Sequence, residues 1–136
     1  MGAEIFFERV RLRPGKPAVF ARLNGVLIFA LPGNPVSAAV TFYLFVRTAI
    51  LTLQNAKETD LPSGFAVLTS EAKGAKERDT YLPAALETDK NGRQLATPLR
   101  WHGSSDFVGF AKADALIFIS RGEIIETGKA AKIVYL

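Results

Sequence analysis

The chain has 136 residues, 49% apolar and 22% charged, a folding globular composition long enough for one domain or for a small domain plus part of another. With no cysteine and a single histidine, His102, it excludes a disulfide framework, a thiolate metal site, a cysteine nucleophile and a multi-histidine site, and it fits a reducing, cytoplasmic setting. The net charge of +4 is carried by residues 1–56, where Arg9, Arg11, Arg13, Lys16, Arg22 and Arg47 stand against Glu4 and Glu8; this favours a local anionic ligand and no nucleic-acid surface.

The N-terminus lacks the positive segment and apolar core of a secretory leader. Residues 4–12 begin apolar and then alternate, which predicts a strand with Arg9, Arg11 and Arg13 on one face and Val10 and Leu12 on the other. Arg13-Pro14-Gly15-Lys16-Pro17 is a turn, because two prolines and a glycine do not continue a ladder. Residues 18–23 and 26–31 form two short strands around an Asn24-Gly25 hairpin turn. Val26–Leu31 is continuously apolar, as in a strand covered on both faces with parallel neighbours.

Pro32-Gly33-Asn34-Pro35 leads into a helix over 35–53, with Asn34 as N-cap and Pro35 in the first helical position. Residues 36–53 are long enough to span a bilayer, but Arg47 lies well inside them, so a buried helix is expected and no membrane role. The polar stretch 54–64 reads as a linker. Beyond it, short strands near 65–70, 79–86, 93–98, 115–120 and 130–135 are separated by turns at Lys73-Gly74, Asn91-Gly92 and Gly122. A helical turn falls within 104–112. This spacing predicts a small β domain with a barrel-like or sandwich core.

Four places could carry chemistry. The 31–38 loop puts a helix N-terminus, Gly33 and the Ser37 hydroxyl where an oxyanion could bind, though an ordinary capped helix has the same sequence. Arg9, Arg11, Arg13 and Lys16 are either an anion site or a solvated strand face; clustered like charge is costly unless exposed or neutralised. Arg78 enters a later strand beside acidic residues. Gly103-Ser104-Ser105-Asp106 could cap a short helix or offer hydroxyls. Ser/His/Asp sets, paired carboxylates, Walker loops and dinucleotide fingerprints are missing.

Arg13-Pro14-Gly15-Lys16-Pro17, followed at fixed spacing by Leu31-Pro32-Gly33-Asn34-Pro35-Val36-Ser37-Ala38, resembles the molybdopterin molybdenumtransferases, the MoeA and gephyrin E-domain type. Arg78-Asp79-Thr80-Tyr81, and Gly103-Ser104-Ser105 before Ala113-Asp114-Ala115-Leu116-Ile117, resemble two further motifs of that family. Arg13 stands where the family usually has lysine, which keeps the charge and changes its geometry. The resemblance implies an α/β plus β fold: residues 1–56 end a MogA-like molybdopterin-binding α/β domain, and residues 57–136 form the small, mostly-β, barrel-like C-terminal domain.

It implies molybdenum cofactor biosynthesis, with adenylylated molybdopterin and molybdate as partners and magnesium bound in the full enzyme. Arg9, Arg13 and Lys16 would hold anionic groups. Pro32, Gly33, Asn34, Pro35 and Ser37 would shape the pocket, and Arg78 and Ser104 would close it. The family's N-terminal segments, with its dimer-forming region and magnesium-binding acids, have no counterpart here. The expectation is therefore a piece of a transferase, inactive alone, that forms a homo-oligomer or associates with those segments. The alternative is a non-catalytic scaffold or partner-binding module of the same build.

Overall fold

A computed structural model describes residues 2–100 and 106–136. The first strands are β1 (Glu4–Phe7), β2 (Leu12–Arg13), β3 (Val19–Leu23) and β4 (Val26–Ala30). Antiparallel pairing of β1 with β3 and of β3 with β4 makes a three-stranded sheet. Asn24 (φ 50°) and Gly25 (φ 82°) turn the β3–β4 hairpin, the paired positive φ that an Asn-Gly sequence adopts at least cost.

Two expectations fail in this region. The predicted strand over 4–12 breaks: β1 has a register shift between Ile5 and Phe7, and the chain leaves the sheet until β2, so Arg9, Arg11 and Arg13 do not share one strand face. The hydrogen bond from the Val10 N–H to the Lys16 carbonyl (3.0 Å) curls these residues into a loop instead of a ladder. Nor is β4 covered on both faces or flanked by parallel strands. It is antiparallel to β3, and Val26 and Ile28 are 64% and 40% exposed. Continuous apolarity here reflects an unfilled face; the strand buried on both sides is β9 (Ala115–Ile119).

Helix α1 (Pro35–Thr41) continues through a π turn (Phe42–Val46) into α2 (Arg47–Leu53). Together they are long and apolar enough to cross a membrane by length and composition. The expected buried helix is buried only at its start: Val36 and Val40 are fully buried against Leu12, Phe110 and Leu116, whereas no residue of 42–53 is, and Phe42, Ile50 and Leu53 are exposed. The Phe45 ring of the π turn lies 5.5 Å from that of Phe7, tying the helix to β1. Thr48 donates its hydroxyl to the Thr59 carbonyl (3.3 Å), which holds the connecting segment back along the helix.

The second sheet contains β5 (Ser63–Leu68), β7 (Asp79–Thr88), β8 (Gln94–Pro98), β9 (Ala115–Ile119) and β11 (Ala130–Tyr135). Their order, β7-β8-β5-β11-β9, closes because β9 also pairs with β7, so the mostly-β barrel expected from strand spacing is present. Its interior alternates alanines, such as Ala84, Ala96 and Ala115, with Leu68, Ile117, Ile119 and Ile133. Small residues let the strands close tightly around the larger ones. Each fully buried Leu or Ile contributes about 1.5–3 kcal/mol. A two-stranded ribbon, β6 (Ala72–Lys73) with β10 (Ile124–Ile125), and the short helix α3 (Phe107–Phe110) complete the fold. Leu116 points outward from the barrel into the cluster that receives α1. The small strand β2 pairs in parallel with β7 (Leu12 opposite Asp79, Arg13 opposite Thr80), joining the first region to the barrel.

Candidate anion-binding cleft

The loop from Val10 to Lys16 is fixed on two sides. On one, the Asp79 N–H donates to the Arg11 carbonyl (3.0 Å), and β2 lies against β7. On the other, Gly15 presses on the helix: a Cβ there would lie 2.5 Å from Thr41 Cγ2 and 3.4 Å from Leu12 Cδ2. Thr41 is itself held, its hydroxyl donating to the Ser37 carbonyl (2.8 Å) and the Ala38 carbonyl (3.1 Å), so its methyl cannot swing clear without breaking those bonds. Gly15 also has φ 120°, a conformation open to glycine at little cost. The glycine between the two prolines is therefore needed both for turning and for close approach. The Arg13–Pro14 peptide bond is cis.

A second wall is the segment 74–79 and a third is the turn 120–123. The Ala75 N–H donates to the buried Thr80 hydroxyl (2.9 Å), the Gly122 N–H to the Ala75 carbonyl (2.8 Å), and the Gly74 N–H to the Glu123 carbonyl (2.9 Å). Gly74 permits this contact, since a Cβ there would lie 2.6 Å from the Ser120 carbonyl oxygen. The Asp79 carboxylate accepts the Arg121 N–H (3.0 Å).

These three walls enclose an open cleft of about 650 Å³, lined by Val10, Arg11, Lys16, Lys76, Glu77, Arg78 and Arg121. Its size falls in the range of small-molecule sites. Five cations less one carboxylate leave four net positive charges, and among the described residues none of the five cations is in an ion pair. Such a set suits a multiply charged anion. It does not suit a divalent cation, and among the described residues no cluster of three or more His, Asp or Glu side chains could hold one. Tyr81, two residues after Asp79, has its hydroxyl pKa pushed up by burial and secondarily by the Asp79 charge. It therefore stays a neutral phenol, its ring tilted at 58° to that of Phe118 with centroids 5.3 Å apart.

The predicted site residues divide between this cleft and its surroundings. Lys16 and Arg78, 62 positions apart in sequence (78 less 16), share the cleft. Arg9 and Arg13 are exposed but do not line it, and Arg11 does. Pro32 is buried; Gly33, Asn34 and Pro35 are exposed, with open space where a Gly33 Cβ would sit. Asn34 occupies the N-cap position without a capping hydrogen bond from its side chain. Ser37 is buried in the first turn of α1, outside the cleft lining. Ser104 lies outside the described residues, as do Trp101, His102, Gly103 and Ser105. Asp106 does cap α3, its carboxylate accepting the Gly109 N–H (2.9 Å). Lys76 and Arg121 belong to no pattern that sequence spacing singles out. The only available signal for Arg121 was a cation in a Gly-containing turn directly after a buried strand.

Comparison with known proteins gives the family and the fold. Residues 66–136 match the family described as the MoeA C-terminal region (domain IV), and residues 1–52 match the one described as a probable molybdopterin binding domain. Similar curated proteins include the molybdopterin molybdenumtransferase of Haemophilus influenzae, 32% identical over 87% of this chain and 30% of that protein. That of Bacillus subtilis is 31% identical over 100% of this chain and 32% of its own length. Among solved structures, a molybdopterin biosynthesis MoeA protein from Pyrococcus horikoshii superimposes with a TM-score of 0.79 at 25% identity, over 96% of this chain and 32% of that one. The chain thus spans about a third of the length of these relatives.

Proposed function

The chain belongs to the molybdopterin molybdenumtransferase (MoeA) family, and from that premise we propose that it supplies the oxyanion-holding part of an enzyme that inserts molybdate into adenylylated molybdopterin. The observation that carries this reading is the cleft of five cations, none in an ion pair among the described residues. Lys16 and Arg78, each from a segment resembling a family motif, would neutralise the charge of the oxyanion or phosphate from opposite walls. The main chain that carries them is pinned by hydrogen bonds, which lessens the reorganisation needed to bring these donors to the ligand's charge.

Arg9, Arg13, the 32–35 loop, Ser37 and Ser104 would complete the pocket around that core, as the resemblance implies. Residues 1–56 would end the molybdopterin-binding domain and residues 57–136 would form the C-terminal domain. The protein would work in the cytoplasm, as a homo-oligomer or joined to the rest of the family's architecture. Among the described residues no cluster of His, Asp or Glu side chains fits magnesium, so no bond-breaking step is assigned to them. We expect the 136-residue chain alone not to turn over adenylylated molybdopterin.

The test is a calorimetric titration with molybdate and sulfate. Arg78→Ala should weaken molybdate binding by about tenfold or more, the loss of a hydrogen bond to a charged group. Its melting temperature should stay near wild type, because Arg78 makes no ion pair among the described residues. Equal molybdate affinity in the variant and the wild type would sink the assignment.

A further inference from the structure

We infer that Arg121 is an additional ligand-binding residue of the cleft, and that with Lys76 it selects a ligand carrying more than one anionic group. The inference rests on the reading of the cleft as an anion site and extends it to a residue outside every family motif noted above.

Three observations carry it. Arg121 lines the cleft together with Lys16 and Arg78, from a turn anchored at both ends: the Gly122 N–H is held by the Ala75 carbonyl, and the Glu123 carbonyl accepts the Gly74 N–H. The two carboxylates beside the turn are already committed to its main chain. Asp79 accepts the Arg121 N–H (3.0 Å), and Glu123 accepts the Ser120 N–H (3.2 Å). Neither pairs with the guanidinium, which is in no ion pair among the described residues. The carboxylate nearest in sequence register thus fixes where Arg121 stands without neutralising it.

Charge balance is the third observation. Five cations and Glu77 leave four net positive charges. A single doubly charged tetrahedral oxyanion would match only half of them, leaving like charges crowded together at a cost. A ligand with a second anionic group, such as a diphosphate, balances the cleft. Arg11 and Lys16 lie on one wall, and Lys76, Arg78 and Arg121 on the other two, so the positive charge is divided among three segments of chain.

The experiment titrates inorganic pyrophosphate and molybdate into the 136-residue chain by calorimetry, using wild type, Arg121→Gln, Arg121→Lys and Arg78→Ala, each first checked for an unchanged melting temperature. We expect Arg121→Gln to weaken pyrophosphate on the order of tenfold. Molybdate should weaken by less than about twofold, and Arg121→Lys should recover much of the pyrophosphate affinity, since lysine keeps the charge without the fork. If Arg78→Ala weakens both anions while Arg121→Gln binds pyrophosphate like wild type, Arg121 is not a ligand and the anion site stands. If Arg121→Gln weakens both anions equally, selection for a second group is overturned. If neither variant changes either anion, the cleft reading falls and the inference with it.

Discussion

The barrel and the region before it solve the same problem of apolar burial to different degrees. In the barrel the ring of strands is closed, and Leu68, Ile117, Ile119 and Ile133 are almost wholly removed from water. The β1-β3-β4 sheet has no such closure: Ile5, Val26 and Ile28 are 53%, 64% and 40% exposed, and Leu53 at the end of the helix is 69% exposed. The cleft lies on the seam, yet most of what fixes it comes from the barrel side. Lys76, Arg78 and Arg121 stand on segments laced to one another by main-chain hydrogen bonds, and β2 carries the Arg11–Lys16 loop across to β7. The loop is thus early in sequence but mechanically part of the barrel's rim. A site can be held rigidly next to a region that is itself incompletely covered, provided its loops are pinned to the closed side.

Three measurements would break or sharpen this contrast. The largest effect is expected at Ile117, which is fully buried in the barrel: Ile117→Ala should destabilise by about 2–5 kcal/mol in urea unfolding. Ile28→Ala on the open sheet should change stability by about 0.5 kcal/mol or less, the usual scale for an exposed site. Similar losses at the two positions would show that the sheet face is covered in solution and that the contrast is false. Gly15→Ala comes next. The added methyl meets Thr41 Cγ2, and the positive φ disfavours alanine, so about 1–3 kcal/mol should be lost. Molybdate affinity should fall with it, because Lys16 moves with the loop; full affinity in a folded Gly15→Ala protein would show that the seat on the helix does not position Lys16.

The smallest effect concerns pH. Tyr81 holds its proton more tightly when folded, through burial first and the Asp79 charge second. Its contribution to stability is fully present below the ordinary tyrosine pKa of about 10 and is lost as pH rises through the higher folded value. Tyr81→Phe should remove that alkaline component from a series of melting curves taken across this range. An unchanged alkaline slope would assign it to other groups, such as lysines.

Local chemistry in the sequence was enough for the elements whose cause is local. Asn24-Gly25 dictates a hairpin, Pro35 starts a helix, and regularly spaced short strands separated by turn residues give a small β domain; each depends on φ preferences or burial period within a few residues. The motif pairs around Lys16 and Arg78 were also visible, and so was the excess of positive charge before residue 56. Tertiary structure decided what depends on distant partners. Val26–Leu31 and Ala115–Ile119 are equally apolar runs, yet only the second is covered on both faces, because only the second has a strand on each side, inside a closed barrel, and α1 packed across it, whereas β4 has β3 alone beside it. Arg9, Arg11 and Arg13 looked equivalent by alternation, and a register shift in β1 with the Val10–Lys16 bond separated them, leaving Arg11 in the cleft. Arg121 had no local signature beyond being a cation in a Gly-containing turn. Its place depends on Asp79, 42 residues away, accepting its N–H, a long-range contact that no short window of sequence contains.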